Sequence, residues 1–424
     1  MLRRSMIWML CAFNVACGGS QASPNASGAA EHAAPPTTPA ASRFRLKVSL
    51  FPWIPGDTSY VRWIEEEFER SNPTIDLVVR DPAKSHDWKP DEYVGDLSYE
   101  WEKTGQALTD ASSPDFQHLV EVDTMILGEL VKRKAVLPFT IPDPGFLEFT
   151  RRAVQVDGTT YGVPHWTCGH FFMSNLPQIK AASSLDQLLR TLATAGRAES
   201  VDVAGDMDGS WESVMLYLDA YVDAHPTASA SEATTHSRLD RDVEANLTKV
   251  GRACTHEGKN HCADDAAEAF AAGRVDALFG YSERLNEAAR KGTDPDKVTI
   301  VPAALGQTDR LLLFTDALVL SPRCSAAECK DAAARFATFY TDARVYETVL
   351  LSRDGGQDAK PRYLLPATRA AFERPDVQAD PIYNQLQGYV GGADGYPNQG
   401  VPAAKQSGVL RGLVANALGI KRND

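Results

Sequence analysis

"RLKVSLFPWIP" (45–55), "TSYVRWIEEEFERSNP" (58–73) and "IDLVVRD" (75–81) follow one another closely. The first is an apolar strand closed by Pro52 and Pro55. In the second, Val61, Ile64 and Phe68 recur at helical spacing with acids on the other face, and Asn72-Pro73 ends the helix. The third is a strand. Strand, helix and strand at this spacing predict a βαβ unit, and hence a parallel sheet in an α/β protein.

The same alternation continues down the chain. "HLVEVDTMIL" (118–127) reads as a strand running into the helix "ILGELVKRKAV" (126–136), with Asp123 at the strand's carboxyl end, where open α/β sheets place ligand contacts. Further elements are "TYGVPHW" (160–166), helices at 184–196 and 211–224, and a helix that turns at Gly273 into the strand "VDALFGY" (275–281). "LLLFTDALVLSP" (311–322) is another strand, and "KDAAARFATFYTDARVYETVLLS" (330–352) reads as one long C-terminal helix before "RYLLPATRAAF" (362–372). This order predicts two lobes crossed by the chain more than once, with a ligand cleft between them. The expected division is 44–155 plus 282–335 in lobe 1, and 156–281 plus 336–424 in lobe 2.

Arg3 and Arg4 precede a short apolar run, which reads as a secretory signal over 1–17, too short to span a membrane. "NVAC" before "GGSQ" resembles the bacterial lipobox and makes Cys17 the candidate lipidated residue, although Asn14 stands where that pattern prefers Leu. Residues 18–43, rich in Gly, Ala, Pro, Ser and Thr, lack apolar periodicity and read as a disordered linker. The membrane is thus expected as a partner only through a lipid anchor, on an exported and monomeric chain. A net charge of −13 argues against a nucleic-acid partner and is compatible with a cationic small ligand.

The chain has seven cysteines. In an oxidising compartment, Cys254 with Cys262 ("CTHEGKNHC") and Cys324 with Cys329 ("CSAAEC") are each expected to close a local disulfide, the alternative for the first being a metal site with His256 and His261. Cys168, in "VDGTTYGVPHWTCGHFF" (156–172), is left over. It admits three readings: a small core hydrophobe, a zinc ligand with His165 and His170, for which a full ligand set is missing, or a nucleophile, which needs a base to form thiolate.

Strand ends elsewhere carry Asp123, Tyr281 and Glu283 ("FGYSERL"), and Asp316 ("LLFTDALVL"). Carboxylates at one edge of a sheet converge on a cleft. Asp123 and Glu283 are equally read as helix N-terminal acids, favoured there by the dipole.

"LKVSLFPWIP", "IEEEFERSNP", "VEVDTMIL", "VDGTTYGVPHWTCGHFF" and "FGYSERL" resemble, in order and spacing, the thiaminase I (thiamine pyridinylase) family from about residue 45 onward. The resemblance implies the type 2 periplasmic-binding-protein fold, a nucleophile at Cys168 in "WTCG" and a general base at Glu283 in the Tyr-Ser-Glu motif. It implies pyrimidine contacts from Asp123, Tyr281 and Asp316, with Tyr99 a further candidate. Trp53 stands where the family usually has Tyr, keeping a stacking face without the hydroxyl, and Phe314 stands where Tyr is common.

The implied reaction replaces the thiazole of thiamine with a second base or thiol through a covalent cysteine–pyrimidine adduct. No metal or organic cofactor is expected, and the partners are thiamine and a nucleophilic co-substrate. The alternative is a non-catalytic solute-binding lipoprotein of an ABC transporter for thiamine or another small ligand. Thiamine-binding transport proteins share the fold without the cysteine–glutamate pair, so the pair favours the enzyme.

Overall fold

The computed structural model describes residues 43–80, 97–197, 199–207, 212–234, 236–397 and 410–421. The signal segment, Cys17 and the linker to residue 42 lie outside the described residues.

The opening unit forms as its pattern predicts. Strand β1 (Phe44–Ser49) leads through helix α1 (Asp57–Ser71) to β2 (Ile75–Val79), and β1 pairs in parallel with β2 from Phe44 opposite Ile75 to Val48 opposite Val79. Tyr60, Ile64 and Phe68 are buried on one face of α1, while Val61 is half-buried at its margin. Continuing on, helix α2 (Trp101–Thr109) precedes β3 (Leu119–Asp123), which with β4 (Gly162–Cys168) belongs to the same sheet, whereas β5 (His170–Ser174), β6 (Val201–Ala204), β7 (Val275–Tyr281) and β8 (Thr299–Pro302) form a second one. The chain then returns to the first sheet as β9 (Leu312–Leu320), β10 (Leu365–Pro366) and β11 (Asp394–Gly395).

The larger sheet runs β10-β4-β9-β3-β1-β2, with β11 beside β9, and the smaller runs β8-β5-β7-β6. Each has an antiparallel portion beside a parallel one. These sheets are the bases of the two lobes of a periplasmic-binding-protein-like fold, as expected. The sheets change at other residues than those anticipated: β4, β10 and β11 lie in the larger sheet and β8 in the smaller, whereas the sequence division put β4, β10 and β11 in lobe 2 and β8 in lobe 1. Sheet membership is decided by pairing across long sequence separations, and local pattern carries no signal of it.

The long C-terminal helix is two. Helix α3 (Ala327–Tyr340) stops at Thr341, and Asp342 starts α4 (Ala343–Leu350) by accepting the Arg344 N–H at 2.8 Å. An aspartate that caps a new helix competes with continuing the old one. Both expected disulfides are present, Cys254–Cys262 and Cys324–Cys329, with Cα separations of 5.4 and 5.3 Å. No helix among the described residues is long and apolar enough to cross a membrane.

Candidate active site

Cys168 is the last residue of β4 and His170 the first of β5, so a single glycine carries the chain from one sheet to the other. Gly169 is required there. A Cβ on it would lie 2.5 Å from Leu313 Cδ2 and 2.6 Å from the Leu312 carbonyl oxygen, inside van der Waals contact with backbone. The cysteine is thereby fixed at the seam of the lobes, only 3% exposed, and it is a free thiol.

Strand pairing gathers the other candidates around it. In β9, Phe314 stands opposite Cys168, and Asp316 stands opposite both Trp166 on β4 and Asp123 on β3. Residues opposite one another or two apart share a face of a sheet, so Asp123, Asp316, Phe314 and Cys168 occupy neighbouring places on one surface. Both aspartates are fully buried. Like charges directly opposite across strands are unfavourable, so this pair suits a ligand that brings N–H donors or positive charge. Asp123 also accepts the Met125 N–H at 2.8 Å, so its helix-capping role is real and coexists with its place in the site.

The smaller sheet contributes from its own strand end. Tyr281, the last residue of β7, is in register with His170 and stacks on its imidazole at 4.9 Å and 16°, while its edge meets the Phe314 ring at 5.6 Å. Two residues on, Glu283 precedes helix α5 (Arg284–Arg290), for which its side chain makes no capping hydrogen bond. Burial pushes its carboxyl up to about 7, with Glu287 adding to the rise and the Glu283 amide, Arg284 and His170 opposing it. Asp123 thus caps a helix with its side chain, whereas Glu283 precedes one without such a bond, its carboxyl raised by burial. The Cys168 thiol is pushed well above its ordinary range, first by burial and then by Glu283, Asp316, Asp123 and Glu121. A thiol so placed rests protonated and needs a base to react.

Trp53 and Tyr99 lie in loops and pack half-buried against the core. Glu121 accepts the Phe51 N–H at 2.8 Å, anchoring the loop that carries Trp53, and the Tyr99 ring meets Phe51 edge-on at 6.4 Å. The Ser98 carbonyl accepts the Asp123 N–H at 3.0 Å, which brings Tyr99 beside the end of β3.

Histidines flank the cysteine, and each is engaged by a carboxylate: His165 Nδ1 lies 2.7 Å from Glu121 Oε1, and His170 Nδ1 lies 2.5 Å from Asp219 Oδ2. Neither forms a metal cluster with Cys168; among the described residues the group with metal-ligand spacing is His225, Asp240 and Asp242, apart from this site. Glu121 and Asp219 were not anticipated from the sequence. Asp219 had a signal that went unread, because an acid inside the apolar helix "WESVMLYLDAYVDA" is costly to bury without a partner. Glu121 gives the same signal inside the apolar strand "LVEVD", while its histidine partner, 44 residues away, has none in local pattern.

Residues 93–385 match the family described as bacterial extracellular solute-binding protein. The chain is 24% identical to thiaminase-1 of Paenibacillus thiaminolyticus, over 86% of this chain and 84% of that one. Among solved structures, Clostridium botulinum thiaminase I in complex with thiamin superimposes with a TM-score of 0.70 at 16% identity, covering 88% of this chain and all (100%) of that one. The maltose-bound T. maritima MalE3 gives 0.63 at 14% identity, covering 89% of this chain and 95% of that one. With the matched region holding the whole smaller sheet, strands β3, β4, β9 and β10 of the larger one and the cysteine crossover between them, the chain belongs to the bacterial extracellular solute-binding protein family.

Proposed function

We propose that this protein is an exported thiaminase I, a transferase that exchanges the thiazole of thiamine for a second base or thiol. The observation that carries the reading is a buried thiol at the lobe seam whose strongest charged neighbour is a carboxylate held near neutral pH, beside two opposed aspartates. Similarity to thiaminase-1 over most of the chain supports it. A receptor that merely closed on a solute would have no use for a nucleophile and base at this seam.

Glu283 takes the proton from Cys168 Sγ, and the sulfur adds to C6 of the pyrimidine. The bond from the exocyclic methylene to the thiazolium nitrogen breaks, and its electrons leave with the thiazole, which departs neutral. The incoming nucleophile then bonds to that methylene, a thiol giving up its proton to solvent, the C6–S bond breaks, and the proton returns from Glu283 to the cysteine. Dividing a displacement at an unactivated methylene into addition and elimination is the gain from covalent catalysis. Asp123 and Asp316 accept N–H bonds from the pyrimidine amino group, and Tyr281, Trp53 and Tyr99 supply flat walls. This chemistry requires no metal or organic cofactor. Lipidation at Cys17, the linker over 18–43 and a monomeric state complete the proposal.

Family membership favours one other reading, a non-catalytic binding lipoprotein. Incubation with thiamine and pyridine separates the two. The enzyme yields the pyridine-exchanged product by mass, and a protein that binds thiamine without forming it is a receptor.

A further inference from the structure

Three segments near the boundary of the sheets are tied to one helix, α6 (Glu212–Ala224). The crossover at Cys168–Gly169–His170 is held by His170 Nδ1 on Asp219 Oδ2 at 2.5 Å. Between β8 and β9, Asp223 accepts the Leu305 N–H at 2.7 Å and the Thr308 hydroxyl and Arg310 N–H at 2.9 Å each. Just after β11, the Tyr396 hydroxyl lies 2.5 Å from Asp219 Oδ1 and 3.2 Å from the Met215 carbonyl. Asp219 and Asp223 are four apart and so lie on one face of α6.

Asp219 is buried, and its two oxygens each hold a different segment. Because a carboxylate only accepts, His170 donates to it from Nδ1, and Nε2 is buried without a hydrogen-bond partner. An imidazole fixed in this way offers a flat face. On that face lies the Tyr281 ring, with Phe279 stacked nearby at 5.0 Å.

We propose that Asp219 is a positioning residue of the active site: by accepting from His170 on one oxygen and from Tyr396 on the other, it fixes the crossover that carries Cys168 and the wall formed by Tyr281. Its catalytic consequence rests on the thiaminase reading above, while its effect on the cysteine does not. Removing the carboxylate frees both donors, and the crossover, joined to β4 through a single glycine, shifts relative to β9. Displacement of a reacting atom by about an ångström costs on the order of a hundredfold in rate.

The test uses the full-length chain with Asp219→Ala, Asp219→Asn and Tyr396→Phe. Steady-state thiamine–pyridine exchange and the alkylation rate of Cys168 by iodoacetamide without substrate are the readouts. Asp219→Ala is expected to lower kcat at least about tenfold with KM changed less than about threefold, the pattern of misplaced reacting groups. The same variant should alkylate at least about fivefold faster, because the seam that buries the thiol loosens. Tyr396→Phe should move both readouts the same way and less far. Asp219→Asn should rescue, since its oxygen still accepts from His170 while its amide donates to the Tyr396 oxygen, whose own proton turns to Met215.

Wild-type kcat and alkylation in both the Ala and Phe variants overturn the proposal, as does a rise in KM with kcat intact. If Asp219→Ala does not fold, Tyr396→Phe decides, and unchanged alkylation there overturns it. Should the wild type fail to exchange thiamine, the functional reading falls, and the alkylation series still decides the positioning role.

Discussion

Glu283→Gln is the most informative substitution, because the structure sets two effects of this carboxylate against each other. As an anion Glu283 is the foremost charged group raising the Cys168 thiol, so removing it favours the thiolate. As the proposed base it would receive the proton that the thiol must lose, so removing it would take away the acceptor. Burial lifts the carboxyl from 4.5 to about 7, which makes it a stronger proton acceptor, but the same burial raises the thiol. General bases contribute on the order of 10²–10⁴ in rate. The first effect is smaller, because burial is the leading cause of the raised thiol and Asp316, Asp123 and Glu121 remain in the variant.

Turnover of Glu283→Gln is therefore expected to fall at least about a hundredfold. Its melting temperature should stay within a few degrees of wild type, since the side chain makes no helix-capping bond. The assay is thiamine–pyridine exchange from pH 5 to 10. Wild-type kcat/KM should rise with pH through about 7 as Glu283 ionises and then level off. In the variant that plateau disappears, and the residual rate climbs with pH as hydroxide ionises the thiol directly. Alkylation of Cys168 follows the same logic, with the loss of the base outweighing the relief of charge at neutral pH. A variant with normal turnover, or with the inflection near 7 retained, refutes the assignment of Glu283 as base.

The remaining expectations are simpler. Cys168→Ser should lower turnover by several orders of magnitude while the thiamine Kd, measured by calorimetry, changes less than about fivefold; activity within about tenfold of wild type contradicts a covalent step. Gly169→Ala drives a methyl into Leu313 and the Leu312 carbonyl, so it should destabilise by about 1–3 kcal/mol in denaturant melts and slow turnover; a neutral result means the crossover is looser than its geometry indicates. Burial pushes the Asp223 carboxyl from 3.8 up to about 8, so the folded state binds a proton more tightly than the unfolded chain does. That contribution to stability is fully present below about pH 4 and is lost as pH rises toward 8. Asp223→Asn should accordingly flatten the decline of Tm over pH 4 to 8, and an unchanged slope assigns that decline to other groups.

What could be read from the sequence is what local pattern encodes. The β1–α1–β2 unit was legible because Ile64 and Phe68 recur at helical spacing between two apolar strands. Cys168, Tyr281 and Asp123 could be picked out because each closes an apolar run at a strand's end. Asp316 was legible only as a polar interruption, since β9 continues four residues beyond it. Long-range pairing was not legible. Strands β4 and β5 are buried at every residue, so neither carries a period that tells which sheet it joins, and a single glycine separates them. The partners of His165 and His170 lie 44 and 49 residues away, beyond any motif.

The electrostatics of the site were hidden for the same reason, and they bear on how a deeply buried thiol can react at all. Three of the four carboxylates that hold Cys168 protonated, Asp123, Asp316 and Glu283, belong to the wall proposed to meet the substrate. A thiazolium cation entering beside them offsets the very charges that oppose the thiolate. The cysteine is then least reactive in the empty cleft, which protects it from oxidation and adventitious alkylation, and becomes ionisable when a cationic ring is in place. Anionic walls around an anionic nucleophile would be a poor arrangement for a neutral substrate; for a cation that leaves as a neutral molecule, they favour binding before the step and release after it.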